Sequence, residues 1–306
     1  MSQFMFKPSI HVAIGLLFYR GKVLVGWRKA DQHQGNKYEF PGGKVEEGET
    51  PVEACRREIF EEVGIGIQQW HAFDVIHHDY EDVEVFLHIF HAAVPEKYLA
   101  DIQKPWTWYT RDQLLELNFP KANKDIIQRL YWSHQIKISD QLPSYPTEEN
   151  DQLFYWRIEP TQVTIMQLQQ LDNLDQDDLS QLIVNFDVWQ QLSETIQKKV
   201  RTIHFKQHQL MNLAIGQLPV GIRCIAACHD LVSLQHAQQL GFDAVILSPV
   251  LQTQTHPGTV ALGWARFSTY AATCDIPVFA LGGLTRNDLQ LAQQNHAYGI
   301  AGIRHF

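Results

Sequence analysis

The sequence is poor in cysteine, in long apolar runs and in positive charge. Its 306 residues include four cysteines, Cys55, Cys224, Cys228 and Cys274, and no pair of them has C-x-x-C spacing. This excludes a disulfide scaffold and gives no zinc signature. No apolar run approaches the roughly 20 residues of a membrane helix, and the N-terminus lacks the layout of a signal peptide. We therefore expect a cytoplasmic protein that does not bind a membrane.

The formal net charge of −9 argues against binding to long nucleic acid, which needs a basic surface. A small anionic ligand would need a local device such as a metal ion or a helix N-terminus. The remaining composition, 45% hydrophobic and 19% charged residues, is typical of a globular protein. At about 150 residues per domain the length suggests two domains, and the oligomeric state stays open.

A polar stretch divides the chain. Residues 135–152 combine two prolines with serines and acidic residues and lack helical or strand periodicity. We predict an N-terminal domain at 1–135, a linker at 136–152 and a C-terminal domain at 153–306. The N-terminal part has an α+β pattern, with one helix at Pro51–Val63 among alternating segments that predict strands at 11–19, 23–27, 83–94 and 106–110.

In the C-terminal part, apolar strand-like runs alternate with amphipathic stretches, which predicts parallel strands with helices outside, as in a (β/α) barrel or a doubly wound sheet. The first two predicted strands lie too close together for a crossover connection. The sequence also ends directly after the last one, so we expect a truncated or degenerate barrel. The predicted strands are 153–158, 164–168, 182–186, 200–205, 222–226, 244–248, 277–281 and 299–303.

The strongest motif is GKVEEGETPVEACRREIFEEVGI at 43–65. Thr50 followed by Pro51 and Glu53 predicts the start of a helix, and Gly64 predicts its end.

Three carboxylates of this helix, Glu58, Glu61 and Glu62, share one face, which costs a bare helix a few tenths of a kcal/mol per pair. They form either a solvated acidic face or a site for a hard cation. The Phe-Pro-Gly-Gly turn at 40–43 adds carbonyl oxygens, and an oxygen-only ligand set suits Mg²⁺ or Mn²⁺ that bridges to phosphates.

The same residues fill every fixed position of the Nudix box, G-x5-E-x7-R-E-U-x-E-E-x-G-U, where U is aliphatic. The sequence thus resembles Nudix hydrolases. The resemblance implies a Nudix fold, a mixed sheet with flanking helices, and metal-dependent hydrolysis of a nucleoside diphosphate linked to another group. It assigns Glu58, Glu61 and Glu62 as metal ligands, completed by the Gly42 carbonyl.

Attack of water on an anionic phosphorus needs charge neutralisation, which metal ions provide, and a carboxylate to accept the proton. Glu61 and Glu58 are both candidates for this base. The resemblance further implies that Arg57 orients a glutamate and takes part in catalysis, while Glu49 braces the loop.

Outside the box, residues 28–43 resemble the MutT subfamily, which sanitises 8-oxo-dGTP in the nucleotide pool and so serves DNA repair. Residues 119–123 resemble the segment that carries its purine-reading asparagine, and an amide suits a two-point contact with a purine edge. A solvated arginine and a helix-capping asparagine are the structural alternatives. The implied substrate-binding residues are Arg28, His33, Glu39, Phe40, Pro41, Gly42 and Asn123.

One departure concerns the additional metal-binding glutamate of that subfamily. The corresponding loop, 95–105, offers Glu96 and Asp101, and neither falls in register. The number of metal ions therefore stays open.

The C-terminal part resembles thiamine-phosphate synthase and the TenI-type thiazole tautomerase, both (β/α) barrels, through segments at 182–187, 202–210, 227–230, 248–258 and 280–283. Asn185–Phe186, Gln209 and His256 stand where the synthase has its metal-binding acids and a lysine. We therefore expect a barrel that is inactive as a synthase.

A ligand site can persist in this barrel, for a phosphate-bearing, thiamine-related molecule. The Gly-Gly pair suits either a phosphate cradle or only a tight turn, and the histidine suits either a proton shuttle or a structural donor. The candidate residues are His229, Ser248, Thr253, Thr255, Gly282 and Gly283.

Together these observations predict a Mg²⁺- or Mn²⁺-dependent Nudix enzyme that converts 8-oxo-dGTP to 8-oxo-dGMP and pyrophosphate. The alternatives are hydrolysis of another nucleotide or of a thiamine diphosphate-like compound, and a ligand sensor without turnover.

Overall fold

The structure is a computed structural model that describes residues 7–30, 35–143, 151–253, 258, 260–304 and 306. The chain divides into two compact units, Met1–Tyr131 and Trp132–Phe306. No helix in the described ranges is both long and apolar enough to cross a bilayer.

The first unit is built on a mixed sheet, with seven strands among the described residues. Its path is β3-β2-β1-β6-β5, with β4 paired to β1 and β7 paired to β2. β1 and β6 are parallel, and the other pairs are antiparallel. The elements are β1 Ser9–Tyr19, β2 Lys22–Arg28, β3 Lys37–Glu39, β4 Gly42–Lys44, α1 Pro51–Val63, β5 His71–Asp79, β6 Glu84–Ala93, β7 Thr107–Thr110 and α2 Lys124–Leu130.

The two faces of this sheet bury separate cores. On one face the apolar side of α1, including Ile59, packs near Ala13 and Leu17 of β1. On the other face α2 contributes Ile126 to a core with the alternate β1 residues, such as Leu16. A strand buried on both faces reads as a continuous apolar run, as β1 does.

The predicted helix Pro51–Val63 is confirmed, and the predicted strands overlap β1, β2, β6 and β7. β5 was not predicted. Its alternation of apolar and polar residues is interrupted by a register shift between Ala72 and Asp74, and three of its nine residues are histidines.

The second unit is a closed barrel of eight parallel strands within the described ranges, in the order β10-β11-β12-β13-β14-β15-β8-β9. Its elements are β8 Gln135–Ser139, β9 Leu153–Trp156, α3 Ile165–Asp172, α4 Gln176–Ser180, β10 Leu182–Asn185, α5 Phe186–Trp189, α6 Glu194–Lys199, β11 Thr202–Phe205, α7 Gln207–Met211, β12 Arg223–Cys228, α8 Leu231–Leu240, β13 Ala244–Leu247, α9 Gly263–Ala271, β14 Val278–Leu281, α10 Leu289–Gln294 and β15 Gly299–Gly302.

Three expectations about this unit are corrected. The segment 164–168, predicted as a strand, belongs to α3, because Thr164 and Gln167 form a capping box that starts a helix. The missing strand is β8, which lies at the start of the stretch predicted as a linker and pairs with β9 and β15. With β8 in place the barrel closes, so the predicted (β/α) barrel is confirmed, and it is a full eight-stranded barrel within the described residues rather than a truncated barrel or a doubly wound sheet.

Candidate functional site

Helix α1 carries the predicted carboxylates, and local sequence fixes both of its ends. The backbone N–H of Thr50 donates to the Glu53 carboxylate at 2.7 Å, and Thr50 Oγ1 accepts the Glu53 N–H at 3.4 Å. At the other end Gly64 has φ of 83° and donates its N–H to the Phe60 carbonyl at 3.1 Å. Both caps satisfy backbone groups that a helix end otherwise leaves unpaired, so the register of the acidic face is set.

Arg57 lies at the centre of an ionic network. Its guanidinium donates to Glu49 Oε1 and to Glu58 Oε1, each at 2.7 Å, and to the Lys44 carbonyl at 3.1 Å. Hydrogen bonding from Arg57 is the main reason that the pKa of Glu49 lies below its ordinary value. The Nη1 atom that binds Glu58 also lies 3.5 Å from Glu61 Oε2. Arg57 thereby positions Glu58 and ties the helix to the loop before it.

The turn before the helix approaches these carboxylates closely. Strand β4 pairs with β1, so that Gly42 lies opposite Ile14 and Gly43 opposite Ala13. A Cβ atom at Gly43 would overlap the Glu58 carboxylate, and one at Gly42 would overlap the Ala13 carbonyl oxygen. Glycine is therefore required at position 42, where the obstacle is the β1 backbone, while at position 43 it leaves room for the Glu58 carboxylate, which a side chain would displace.

Glu62 is the most perturbed carboxylate of the site. Burial raises the pKa of Glu62 to about 7, and the negative charges of Glu39 and Glu58 act in the same direction. The Gly42 N–H, which donates to Glu62 Oε2 at 2.9 Å, and the positive charge of Arg28 oppose this rise. The ionised form of Glu62 is thus disfavoured in the metal-free site, chiefly because burial removes the carboxylate from water.

Among the described residues, no three His, Cys, Asp or Glu side chains surround a point where a metal ion could bind. Mg²⁺ does not require such a cage, since it often takes one or two carboxylates and completes its shell with water and phosphate oxygens. Glu58 and Glu62 fit that role, because both approach the Gly42–Gly43 backbone and their mutual repulsion would be relieved by a cation. Glu61 lies further out, with 58% of its side chain exposed.

Among the predicted substrate-binding residues, Arg28 and Glu39 lie close enough to Glu62 to act on its charge. Arg28 Nε donates to Glu39 Oε2 at 2.6 Å, so Arg28 is paired and not simply solvated. Phe40 is buried directly before the glycine turn. Asn123 is only 9% exposed, has helical backbone angles and makes no capping hydrogen bond, which argues against its alternative role as a helix cap. His33 lies outside the described residues.

The loop 95–105 supplies no clear additional metal ligand. Glu96 accepts hydrogen bonds from Arg20 at 2.6 Å and from the Tyr19 hydroxyl at 2.9 Å, so its carboxylate is already engaged. Asp101 is exposed, and no ion pair in the described part of the chain joins it to α1.

The barrel has its own cavity, of about 1140 Å³, at the carboxyl ends of its strands. Thr255 lies outside the described residues. The other candidate residues line this cavity together, namely His229, Ser248, Thr253, Gly282 and Gly283. His229 Nδ1 lies 2.8 Å from the Ser248 carbonyl oxygen and donates to it. This contact fits the alternative in which His229 is a structural hydrogen-bond donor.

Sequence reasoning missed a second group of cavity residues on β9 and β11. The Tyr155 hydroxyl lies 2.9 Å from His204 Nδ1, and burial, together with the charges of Lys206 and Arg157, lowers the pKa of His204 to about 3. Lys206 Nζ contacts both carboxylate oxygens of Glu159 at 2.7 Å. The available signal was the spacing of two residues, because Tyr155 and Arg157, like His204 and Lys206, both line the cavity, with the first of each pair on the strand and the second just after it.

The family model described as "NUDIX domain" matches residues 13–129. The 8-oxo-dGTP diphosphatase of Escherichia coli (strain K12) is 33% identical over 130 residues, which cover 40% of this chain and 96% of that protein. The chain belongs to the Nudix hydrolase family. A solved MutT protein from Methanosarcina mazei Go1 is 23% identical, with a TM-score of 0.36, and the match covers 41% of this chain and 94% of that one.

Beyond the Nudix domain, the family model described as "Thiamine monophosphate synthase" matches residues 160–306. A putative thiamine-phosphate synthase 2 of Aquifex aeolicus (strain VF5) is 38% identical over 80 residues, covering 26% of this chain and 43% of that protein. The chain therefore spans less than half of this relative.

The glycine requirement in the Nudix domain predicts the effect of Gly43→Ala. The added methyl group displaces the Glu58 carboxylate, so we expect Mg²⁺-dependent nucleotide hydrolysis to fall about 10- to 100-fold without loss of the fold. Pyrophosphate release and circular dichroism measure the two effects. Gly66→Ala is the matched control, because nothing lies within 4 Å of a Cβ atom there. Equal activity of G43A and G66A would contradict the prediction.

The raised pKa of Glu62 predicts a pH-dependent gain of stability in Glu62→Gln. In metal-free protein the ionised carboxylate is disfavoured, so the penalty is absent below the ordinary pKa of 4.5 and complete above about 7. We expect the melting temperature of E62Q to exceed that of the parent at pH 8, by about 1–3 °C, and to equal it near pH 4.5.

Glu61→Gln, at the more exposed position, serves as the control. Thermal unfolding with and without Mg²⁺ completes the measurement, since Mg²⁺ should stabilise the parent more than E62Q. A gain in E62Q that is the same at both pH values would refute the explanation.

Proposed function

We propose that the Nudix domain is a Mg²⁺-dependent pyrophosphohydrolase that converts 8-oxo-dGTP to 8-oxo-dGMP and pyrophosphate. The observation that carries the proposal is the contact of the Gly42–Gly43 backbone with the carboxylates of Glu58 and Glu62. The substrate is supported by the relatives, since 8-oxo-dGTP diphosphatases of several bacteria, including that of Proteus vulgaris at 38% identity over 85 residues, match this domain.

The residues of the site would have separate roles in the attack of water on the phosphate chain. A bound divalent cation would neutralise phosphate oxygens and acidify the attacking water. Arg57 holds the Glu58 carboxylate in one orientation, and Glu62 is held by the Gly42 N–H. Glu58 and Glu61 are the candidates for the base that takes the proton from water, and the Arg57 guanidinium lies beside both.

The purine would be read by Asn123. Its side chain is buried and makes no hydrogen bond with another described residue, so its amide donor and acceptor are available to a ligand. Arg28, paired with Glu39 next to Glu62, would face the phosphates.

The proposal is tested with the full chain, Mg²⁺ and a substrate panel of 8-oxo-dGTP, dGTP and thiamine diphosphate. We expect preferred hydrolysis of 8-oxo-dGTP, and Asn123→Ala should reduce its preference over dGTP about 10- to 100-fold while Glu58→Gln reduces kcat for both nucleotides. Preference for thiamine diphosphate would support the alternative substrate. Absence of both pyrophosphate and orthophosphate release from every compound would favour a sensor.

A second proposal concerns the barrel, which we infer binds a phosphate-bearing ligand without synthase chemistry. Its cavity is lined by three cations, Arg157, Lys206 and Arg304, and by two carboxylates, Asp140 and Glu159, of which Glu159 is paired with Lys206. The acidic group nearest the lost metal position, Asp187, accepts a hydrogen bond from Gln209 at 2.7 Å. An amide in place of a second carboxylate removes the charge that would hold Mg²⁺ and pyrophosphate.

Thiamine phosphate is the probe for this cavity. We expect it to raise the melting temperature of the full chain, and Lys206→Met to weaken its binding several-fold, since one cation of the rim is lost. Lys198→Met is the control, because Lys198 is an exposed residue of α6. Binding that is equal in the two variants, or formation of thiamine phosphate from synthase substrates, would contradict the proposal.

A further inference from the structure

Residues 118–119, shortly before Asn123, lie along strand β3, next to the turn at 40–43. The Tyr38 N–H donates to the Asn118 carbonyl at 3.0 Å, and Asn118 Nδ2 donates to the Asn36 carbonyl at 3.1 Å. These two bonds fix the register of residues 118–119 against β3, which leads directly into the turn at 40–43.

Phe119 joins this segment to the turn through its ring. It stacks on Phe40, with ring centroids 5.0 Å apart and planes inclined by 26°, and it lies 6.0 Å from the Tyr38 ring. Phe40 is 6% exposed and precedes Pro41, whose carbonyl accepts the Gly15 N–H at 2.9 Å. The Phe119 ring therefore rests on a part of the site whose backbone is fixed to β1.

The connection from Phe119 to Asn123 is short and stiff. Pro120 has a restricted φ, and the Asn123 N–H donates to the Pro120 carbonyl at 3.0 Å, closing a 3₁₀ turn. Helix α2 follows at once and is anchored by buried Ile126 and Ile127. A displacement of the Phe119 ring should therefore be transmitted to Asn123, because the residues between them are held in this hydrogen-bonded turn.

We infer that Phe119 is a positioning residue that holds Asn123 at a fixed distance from the Phe40–Gly43 turn and so couples base recognition to the phosphate site. This inference rests on the proposed function of Asn123. The nucleotide spans both places, so an error in the placement of Asn123 weakens the contact with the base while the carboxylates around the phosphates stay in position. Loss of the ring should therefore act on KM and on discrimination between purines, and little on kcat.

The test is a double-mutant cycle on the full chain with Mg²⁺. Phe119→Leu should raise KM for 8-oxo-dGTP about tenfold, change kcat less than about threefold and lower the preference for 8-oxo-dGTP over dGTP about tenfold. Phe119→Tyr retains the ring and should stay within about twofold of the parent. In an Asn123→Ala background, F119L should change the preference less than about twofold, because the residue that it positions is absent.

Phe86→Leu is the matched control. Phe86 is a partly buried ring of the same domain that stacks on His11 and His77, away from the segment 118–123, and F86L should leave the preference unchanged. If F119L does not fold, Phe119→Met, which keeps more of the volume, replaces it in the cycle.

Two results would overturn the inference. One is an equal effect of F119L on both nucleotides, and the other is the same effect of F119L with and without Asn123. If the parent shows no preference for 8-oxo-dGTP, the proposed substrate is rejected independently of the inference about Phe119. The cycle is then measured with the nucleotide that the parent hydrolyses best, where non-additivity still supports positioning by Phe119 and additivity rejects it.

Discussion

The first unit depends on one close approach, that of the Gly42–Gly43 backbone to the acidic face of helix α1. A side chain at Gly43 would occupy the place of the Glu58 carboxylate, and the Gly42 N–H is committed to Glu62. The approach places Glu62 in a partly desolvated environment, where its ionised form is disfavoured. In the proposed function, a bound cation would relieve this cost. The sheet, the helix caps and Arg57 can be understood as the structure that holds this contact in place.

Much of this centre was predictable because its information is local. The capping box at Thr50, the stop at Gly64 and the spacing of the acidic face all follow from residues within one or two helical turns of each other. The contacts of Arg57 with Glu58 and Glu49 agree with the role that the Nudix resemblance implies for it, and the spacing of these residues alone did not indicate that role. Such short-range constraints leave few conformations for the segment.

The wrong predictions concern segments whose secondary structure or burial depends on contacts with residues far away in the sequence. β8 looks like the start of a polar linker, and only its pairing with β9 and β15, more than 150 residues away along the chain in the second case, makes it a strand. The short apolar run after Thr164 suits a strand or a helix equally, and the capping box decides for α3. The burial of Asn123 and the contact of Phe119 with Phe40 likewise depend on residues about 80 positions apart, which no periodicity reveals.

The proposed function requires a divalent cation held between helix α1 and the turn at 40–43. The most direct measurement is the anomalous scattering of Mn²⁺ in crystals grown with a non-hydrolysable 8-oxo-dGTP analogue. We predict an ion bound by carboxylate oxygens of Glu58 and Glu62 and by the Gly42 carbonyl, in contact with a phosphate oxygen. Manganese bound only elsewhere, with the Glu58 and Glu62 carboxylates still turned to Arg57 and to the Gly42 N–H, would contradict the account.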